Sequence, residues 1–176
     1  MASILQCLVA MKPISGAVAG AIGGAAGSYT MELFQTWWND LEKRTAPKPA
    51  PQSGAAKQDE PATVKVADRV SQKVQGAGLP ADSKPAAGEA VHYAMGAATG
   101  AIYGFVAEIL PPARMGGGLL MGTIVWWTAD NMAVPAQGLG KKPSQIPPSQ
   151  HAYALASHLV YGFTTELVRG IVRLVL

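Results

Sequence analysis

The segment GAATGAIYGFVAE, residues 96–108, contains the residue spacing from which the fold of this chain is predicted. Its glycines recur at every fourth position, at Gly96, Gly100 and Gly104, and the next position in the series is Glu108. Residues four apart lie on one face of a helix. A face of small residues lets two helix backbones approach closely, and a carboxylate on that face points toward the partner helix. The segment therefore predicts a tightly packed helix with an acid at its contact surface.

Three further segments repeat this spacing and are also rich in apolar residues. They contain Gly20, Gly24, Ser28 and Glu32; Gly118, Gly122, Trp126 and Asp130; and Ala154, His158, Gly162 and Glu166. We expect each of the four segments to cross a bilayer as a helix. The predicted fold class is all-α: a polytopic membrane protein with four transmembrane helices, plus a short amphipathic helix in a disordered linker.

Composition excludes several classes of protein. The chain has 176 residues, of which 49% are hydrophobic, and a net charge of +3. Its basic residues are scattered among acids and do not form the clustered patch that binds nucleic acid. The single cysteine, Cys7, excludes internal disulfides and thiolate metal clusters. Because the basic residues are scattered, we expect no nucleic-acid partner.

Changes in composition along the chain give the predicted boundaries. They are an N-terminal interfacial segment (1–12), transmembrane helix 1 (13–40), a Pro/Ala/Lys-rich linker (41–90) with an amphipathic helix near 62–76, transmembrane helix 2 (91–110), transmembrane helix 3 (115–134), a Pro-rich polar loop (135–150) and transmembrane helix 4 (151–176). The flanking cations favour, by a small margin, both termini outside the cytoplasm.

An internal repeat relates the first two of these helices to the last two. The residues Tyr103, Gly104, Phe105 and Glu108 recur as Tyr161, Gly162, Phe163 and Glu166. Because the two units begin on the same side, the repeat predicts two pseudo-symmetric hairpins related by an axis along the membrane normal.

The acids in these helices are candidate proton-handling or buried polar groups. Glu32 and Asp130 are expected near one end of the helix bundle, and Glu108 and Glu166 near the other. Two carboxylates in one dry pair cannot both stay ionised, so each pair is predicted to hold and release a proton.

A second interpretation of the acids stays open. Acids near helix ends are often solvated or paired with a cation. Arg169 lies three residues after Glu166, within reach on the same helix, and Arg114 is a possible partner for Glu108. In that case the acids have a structural role.

His158 is the most informative of the three histidines. It shares a helix face with Glu166, and an imidazole titrates near neutral pH. A hydrogen bond between helices and haem ligation are the alternatives for it. The di-iron bundle signature, a pair of carboxylate-x-x-His motifs on facing helices, does not occur, so we expect no metal, no cofactor and no enzymatic activity.

The region from His92 to Arg173 carries a further pattern. Its first part is Tyr103, then Val106, Ala107 and Glu108, then Pro111. A glycine-rich run up to Met132 follows. The last part is Pro135, Gly138 and Leu139, and then His158, Leu159, Val160, Glu166 and Arg169. These residues resemble the YagU-like family of bacterial inner-membrane proteins, a largely uncharacterised family associated with acid resistance. The resemblance extends to Glu108, His158, Glu166 and Arg169. It does not extend to Asp130, because the family member used for comparison has histidine at that position.

These observations and the resemblance together predict a multi-pass protein of the bacterial inner membrane. We expect it to respond to pH, or to conduct protons or small solutes, through the buried carboxylates. The alternative is a non-catalytic assembly role in which small-residue stripes dock partner helices. The expected partners are the lipid bilayer and a second copy or another membrane protein. The packing stripes are Gly20, Gly24, Gly96, Gly100, Gly104, Gly118, Gly122 and Gly162.

Overall fold

The computed structural model describes residues 2–45 and 60–176, and all regular secondary structure in those two ranges is helical. The helices are α1 (Ala2–Thr45), α2 (Ala62–Gln75), α3 (Lys84–Ile109), α4 (Leu119–Val125), α5 (Val134–Ala136) and α6 (Pro148–Val172). A π-helical segment, Trp126–Ala133, joins α4 to α5, and short 3₁₀ turns cover Pro111–Arg114 and Pro143–Gln145.

Glycines form the contact between α1 and α3. A Cβ atom added to Gly20 would collide with the carbonyl oxygen of Gly100, and one added to Gly24 would collide with that of Gly96. The two backbones therefore touch directly, which only residues without a side chain permit.

A second glycine row on α1 faces α6. A Cβ atom on Gly23 would collide with the carbonyl oxygen of Thr165, and one on Gly27 would meet the Thr165 hydroxyl. The two rows are offset by three residues, so α1 lies between α3 and α6 and contacts both. Helix α4 packs on α6 in the same way, through Gly118 against Gly162.

Apolar residues at these helix contacts form a small core. Its buried members are Met31, Tyr103, Ala107, Met121 and Tyr161, with Val125 packed against them. They come from α1, α3, α4 and α6, so the core links the four helices that the glycine contacts bring together.

Proline and glycine set the connection between α3 and α4. Helix α3 ends at Ile109. The next residue, Leu110, has a ψ of 84°, because a residue before proline favours an extended backbone over a helical one. Three consecutive glycines, Gly116 to Gly118, then have φ values of 74°, 60° and 90°. Side chains rarely adopt these angles, so the glycine run permits the turn into α4.

Helix α2 is docked on the rest of the protein. Its Val64 and Ala67 are buried, and Val64 packs against Gly88 of α3. Lys65 Nζ donates a hydrogen bond to the carbonyl of Leu139 at 2.9 Å, and Arg69 Nη1 donates one to the carbonyl of Gln137 at 2.9 Å. The helix thus connects α3 to the loop that follows α5.

The prediction of a polytopic membrane protein with four transmembrane helices is wrong for this fold. Within residues 2–45 and 60–176, every helix falls short of the combination of length and mean hydropathy that a bilayer span needs. The physical reason lies in the stripes themselves. Glycine at every fourth position contributes close packing but no apolar side chain, and serine, threonine, tyrosine and histidine lower the mean hydropathy further.

The two predicted hairpins are not equivalent in the structure. Helix α1 is continuous over 44 residues, whereas the segment predicted as transmembrane helix 3 is divided into α4, the π-helical segment and α5. In the described residues, the two helix pairs therefore differ in the continuity of their first helix, although both pairs meet at glycines.

The predicted disordered linker, 41–90, contains structure at both ends. Residues 41–45 belong to α1, α2 covers Ala62–Gln75, and α3 begins at Lys84. Residues 46–59, which hold the alternating prolines, lie outside the described residues, as do residue 1 and the side chain of Cys7. The remainder of the predicted interfacial segment is the first part of α1.

The glycine contact between α1 and α3 predicts opposite effects for two glycine-to-alanine substitutions. Gly100→Ala should lower the free energy of unfolding by about 1–3 kcal/mol, because the added methyl group meets the backbone of α1. Gly170→Ala is the control. It lies in α6, and no neighbouring atom is within 4 Å of the position that a Cβ atom would take there, so it should raise the free energy of unfolding by about 0.5–1 kcal/mol. Urea denaturation measures both, and equal stability of the two variants would contradict the contact.

Candidate functional site

A cluster of acids and arginines joins α3 to α6. Arg169 Nε and Nη2 donate to the two carboxylate oxygens of Glu166 at 2.6 and 2.8 Å. Arg169 Nη1 also donates to Glu108 Oε1 at 3.1 Å, and Arg173 Nε donates to the same oxygen at 2.9 Å. The spacing places Glu166 and Arg169 on one face of α6. Arg173 directly follows the last residue of that helix, and Glu108 of α3 accepts hydrogen bonds from both arginines.

Arg169 lies at the centre of this cluster and is only 1% exposed. A buried guanidinium is costly unless carboxylates and hydrogen bonds surround it, and here it has two carboxylate partners. Hydrogen bonding to Glu166 raises the pKa of Arg169, although burial lowers it. Arg169 is therefore a fixed positive charge.

Both acids in the cluster are held ionised. Burial raises the pKa of Glu166, but hydrogen bonds from Arg169 and from Tyr103, whose hydroxyl lies 2.9 Å from Glu166 Oε2, bring it below its usual value. The hydrogen bond from Arg173 lowers the pKa of Glu108, against the opposing effect of burial. Neither carboxylate is free to exchange a proton near neutral pH.

The cluster differs from the carboxylate pair that we expected. Arg169 lies between Glu108 and Glu166, so the arrangement favours the alternative that these acids bind cations. Arg114, which we considered for Glu108, donates to Glu166 Oε1 instead, at 3.2 Å. Arg173 and Tyr103 complete the cluster, and sequence reasoning did not identify them. The i, i+7 spacing from Glu166 to Arg173 was the available signal for Arg173.

Glu32 and Asp130 are not joined by any hydrogen bond or ion pair of the described side chains. Glu32 accepts a hydrogen bond from the Tyr93 hydroxyl at 3.0 Å, in an exposed position. Burial and this hydrogen bond raise the pKa of Tyr93.

Asp130 lies beside the buried imidazole of His158. Asp130 Oδ2 is 3.7 Å from His158 Nδ1, which is too long for a hydrogen bond. The same His158 Nδ1 lies 2.9 Å from the carbonyl oxygen of Ala154, and His158 is 8% exposed. Among the hydrogen bonds of residues 12–45 and 60–176, none is donated to the Asp130 carboxylate. The Asp130 side chain is 39% exposed, so it is partly buried and has no hydrogen-bond donor among these residues.

The surroundings of Asp130 favour its protonated form. Burial raises the pKa of Asp130 above its ordinary value of 3.8, and the nearby His158 and His151 oppose this rise only in part. A carboxylate that loses part of its hydration binds a proton more readily than one that is fully exposed.

A π-helical backbone presents Asp130 to His158. In Trp126–Ala133 the hydrogen bonds run to the fifth preceding residue instead of the fourth, which rotates the side chains relative to an α-helix. Segments of π-helix often occur at functional sites. The four-residue spacing of the sequence gave no indication of this change.

A cavity of about 560 Å³ opens beside the Asp130–His158 pair. Its walls come from α1, α2, α3, the π-helical segment and α6, and include Ser28, Met31, Met95 and Tyr161. Ser28 is 1% exposed, and its hydroxyl has no hydrogen-bond partner in the structure. Sequence reasoning placed Ser28 in a packing stripe and did not identify it as part of a cavity.

The described side chains contain no group of three or more His, Cys, Asp or Glu residues arranged to hold a metal ion. The chemistry available at the cavity is therefore that of one carboxylate, neighbouring imidazoles and phenols, and an unpaired hydroxyl. Such a set can bind a proton or a hydrogen-bonding ligand.

Comparison with known proteins gives one match. A family model described as "Protein of unknown function (DUF1440)" matches residues 70–167. The matched region includes Glu108, Asp130, His158 and Glu166 but ends before Arg169. No curated protein and no solved structure matches the chain.

The arginine cluster predicts a pH-dependent effect of Glu166→Gln. Because the folded-state pKa of Glu166 is below the ordinary value of 4.5, its ionisation stabilises the fold above that value, and this contribution is lost as pH falls through the lower folded-state pKa. Near neutral pH the variant should lose about 3 kcal/mol of unfolding free energy, because Arg169 stays buried with one carboxylate fewer.

Urea denaturation at neutral and acid pH measures this effect. The loss should shrink at low pH, where the wild-type carboxylate is itself protonated. The control is Glu42→Gln, at an exposed position of α1, which should change stability by no more than about 0.5 kcal/mol. A loss of the same size at both pH values would contradict the ionised cluster.

Proposed function

The chain belongs to this family of unknown function, and from that premise we propose that it is a pH-responsive protein in which Asp130 and His158 bind and release protons. The observation that carries the proposal is the position of Asp130, which is partly buried, lies 3.7 Å from a buried imidazole and has no hydrogen-bond donor among the described side chains. The proposal covers both a protein that responds to pH and one that moves a proton, since each needs a group that changes its protonation state.

The contrast with the arginine cluster supports the choice of Asp130 and His158. Glu108 and Glu166 have their charges neutralised by arginines at 3.2 Å or less. Their protonation would leave Arg169 buried without sufficient counter-charge. Asp130 has no arginine or lysine partner among the ion pairs of the described side chains, so its protonation removes a cost instead of creating one.

We further propose that the chain is YagU-like and acts at the bacterial inner membrane under acid stress. The resemblance of residues 92–173 to that family supports this. Exposed apolar side chains along α3, such as Ile102 and Ile109, which are 68% and 60% exposed, favour the lipid bilayer as a partner.

The alternative assembly role receives less support from the packing. It requires small-residue stripes that are available to partner helices. The glycines of these stripes already contact one another within the chain, as Gly20 does with Gly100 and Gly118 with Gly162. We therefore prefer the pH-responsive function.

Titration of the Asp130 carboxyl group tests the proposal directly. Carboxyl-carbon NMR of the aspartate-labelled protein should give Asp130 a midpoint above 3.8, because burial disfavours its charged form. The signal is assigned by its absence in Asp130→Asn. His158→Gln should raise the midpoint further, since it removes a group whose positive charge stabilises the carboxylate. A midpoint at or below 3.8 would refute the proposal.

Survival of bacteria after an acid shift tests the biological role. In a strain without its own family member, the wild-type chain should improve survival, and Asp130→Asn should not. Asp82→Asn removes an exposed carboxylate that does not line the cavity beside Asp130, and it should behave as wild type. Equal survival with Asp130→Asn and wild type, at equal protein levels, would count against the role.

A further inference from the structure

We propose that the cavity beside Asp130 binds a small organic cation with an apolar body, and that protons compete with this ligand for the carboxylate. The competition rests on the proposed function, since both use the same carboxylate. Binding of the cation depends on the size of the cavity, on its charge and on its unpaired polar atoms.

The size and walls of the cavity fit a small molecule. Its volume of about 560 Å³ lies within the range of roughly 300–1,000 Å³ that is typical of small-molecule sites. Apolar side chains such as Met31, Met95, Val125 and Leu139 form much of the wall. Methionines adapt to irregular shapes and make favourable contacts with aromatic rings, so the apolar body has a suitable environment.

The charge of the cavity selects a cation. Among the described residues that line it, Asp130 is the sole carboxylate, and there is no lysine or arginine. The other titratable side chains facing it are His92 from α3 and Tyr153, His158 and Tyr161 from α6, while α1 and α2 contribute none. An ammonium group supplies the N–H donors that Asp130 lacks, and a charge-assisted hydrogen bond is stronger than a neutral one.

Ser28 gives a second, independent indication of a ligand. Its hydroxyl is buried and unpaired, although buried polar atoms are nearly always hydrogen-bonded. The hydroxyl lies against the backbone of Gly96 on α3, in the space that a side chain at Gly96 would take. A ligand in the cavity that carries a polar group can satisfy the hydroxyl, which a purely apolar occupant cannot.

Other ligand classes fit less well. An anion would be repelled by Asp130 and would find no cationic side chain among the lining residues. A neutral hydrocarbon would leave both the Asp130 carboxylate and the Ser28 hydroxyl without partners, at a cost in desolvation. The cation satisfies the carboxylate and retains the apolar contacts.

Because protons compete with the ligand for Asp130, the affinity of the site for the cation should fall as the pH falls. When the pH falls and Asp130 takes up a proton, the carboxylate no longer attracts the ligand. Acid conditions therefore release the cation, by up to about tenfold in affinity per pH unit for one competing proton.

Three matched probes test the proposal: phenethylammonium, phenethyl alcohol and hydrocinnamate, which share an aromatic body and differ in charge. Calorimetric titration of the full chain near neutral pH should show phenethylammonium binding about tenfold or more tightly than the alcohol. Hydrocinnamate should not bind. Asp130→Asn should remove the preference for the ammonium and leave alcohol binding unchanged, whereas Asp82→Asn should alter neither.

A second variant protects the test against loss of folding in Asp130→Asn. Ala129→Phe places a large side chain in the cavity wall while keeping Asp130, so it should abolish binding of every probe. Equal affinity for the ammonium and the alcohol, a preference for hydrocinnamate, or an effect of neither variant would overturn the proposal.

The NMR titration of Asp130 separates this inference from the proposed function. If no probe binds but the Asp130 midpoint lies above 3.8, the cation site is refuted and proton binding stands. If phenethylammonium binds through Asp130 but the midpoint lies at the ordinary value, the cation site stands and the proposed proton response fails.

Discussion

Direct contact between helix backbones at glycines is the constraint from which the remaining structure follows. At the crossing of α1 and α3, the carbonyl oxygen of Gly100 occupies the space where a side chain of Gly20 would be. Helix α1 repeats this arrangement with α6 through Gly23 and Gly27. Because the contact tolerates no side chain, it fixes both the distance between the helices and their register. The polar groups on α3 and α6 are therefore held in defined positions around α1.

The two carboxylate sites held by these helices differ in the number of hydrogen-bond donors around them. At one site Glu108 and Glu166 surround Arg169, and arginines and a tyrosine hydroxyl occupy their oxygens. Such a cluster is costly to disturb and acts as a structural link between α3 and α6. At the other site Asp130 has an imidazole 3.7 Å away and no donor among the described side chains. The protein thus combines a carboxylate cluster paired with arginines and a carboxylate without such a partner, and it is the second that we propose as the site of proton and ligand binding.

The prediction of transmembrane helices was wrong because it relied on the spacing of the glycines. Glycine every fourth residue indicates close helix packing, and such packing is frequent in membranes, but the spacing does not measure the hydropathy of the helix. In residues 96–108 the glycines, Thr99 and Tyr103 reduce the apolar content that the remaining residues supply. The pattern therefore predicted which faces pack, as the contacts of Gly20 and Gly100 illustrate, and gave no information about the medium around the helices.

Sequence alone determined the features that depend on neighbours along one helix. These are the all-helical composition, the glycine-lined faces, and the pairing of Glu166 with Arg169 three residues later, because helical geometry places such residues together. Tertiary structure decided the rest. It assigned Arg173 to Glu108 and Arg114 to Glu166, brought Asp130 to His158 through a π-helical segment, and enclosed the cavity beside Ser28. These contacts depend on how separate helices are rotated and shifted against one another, and residue spacing within a single helix does not specify that arrangement.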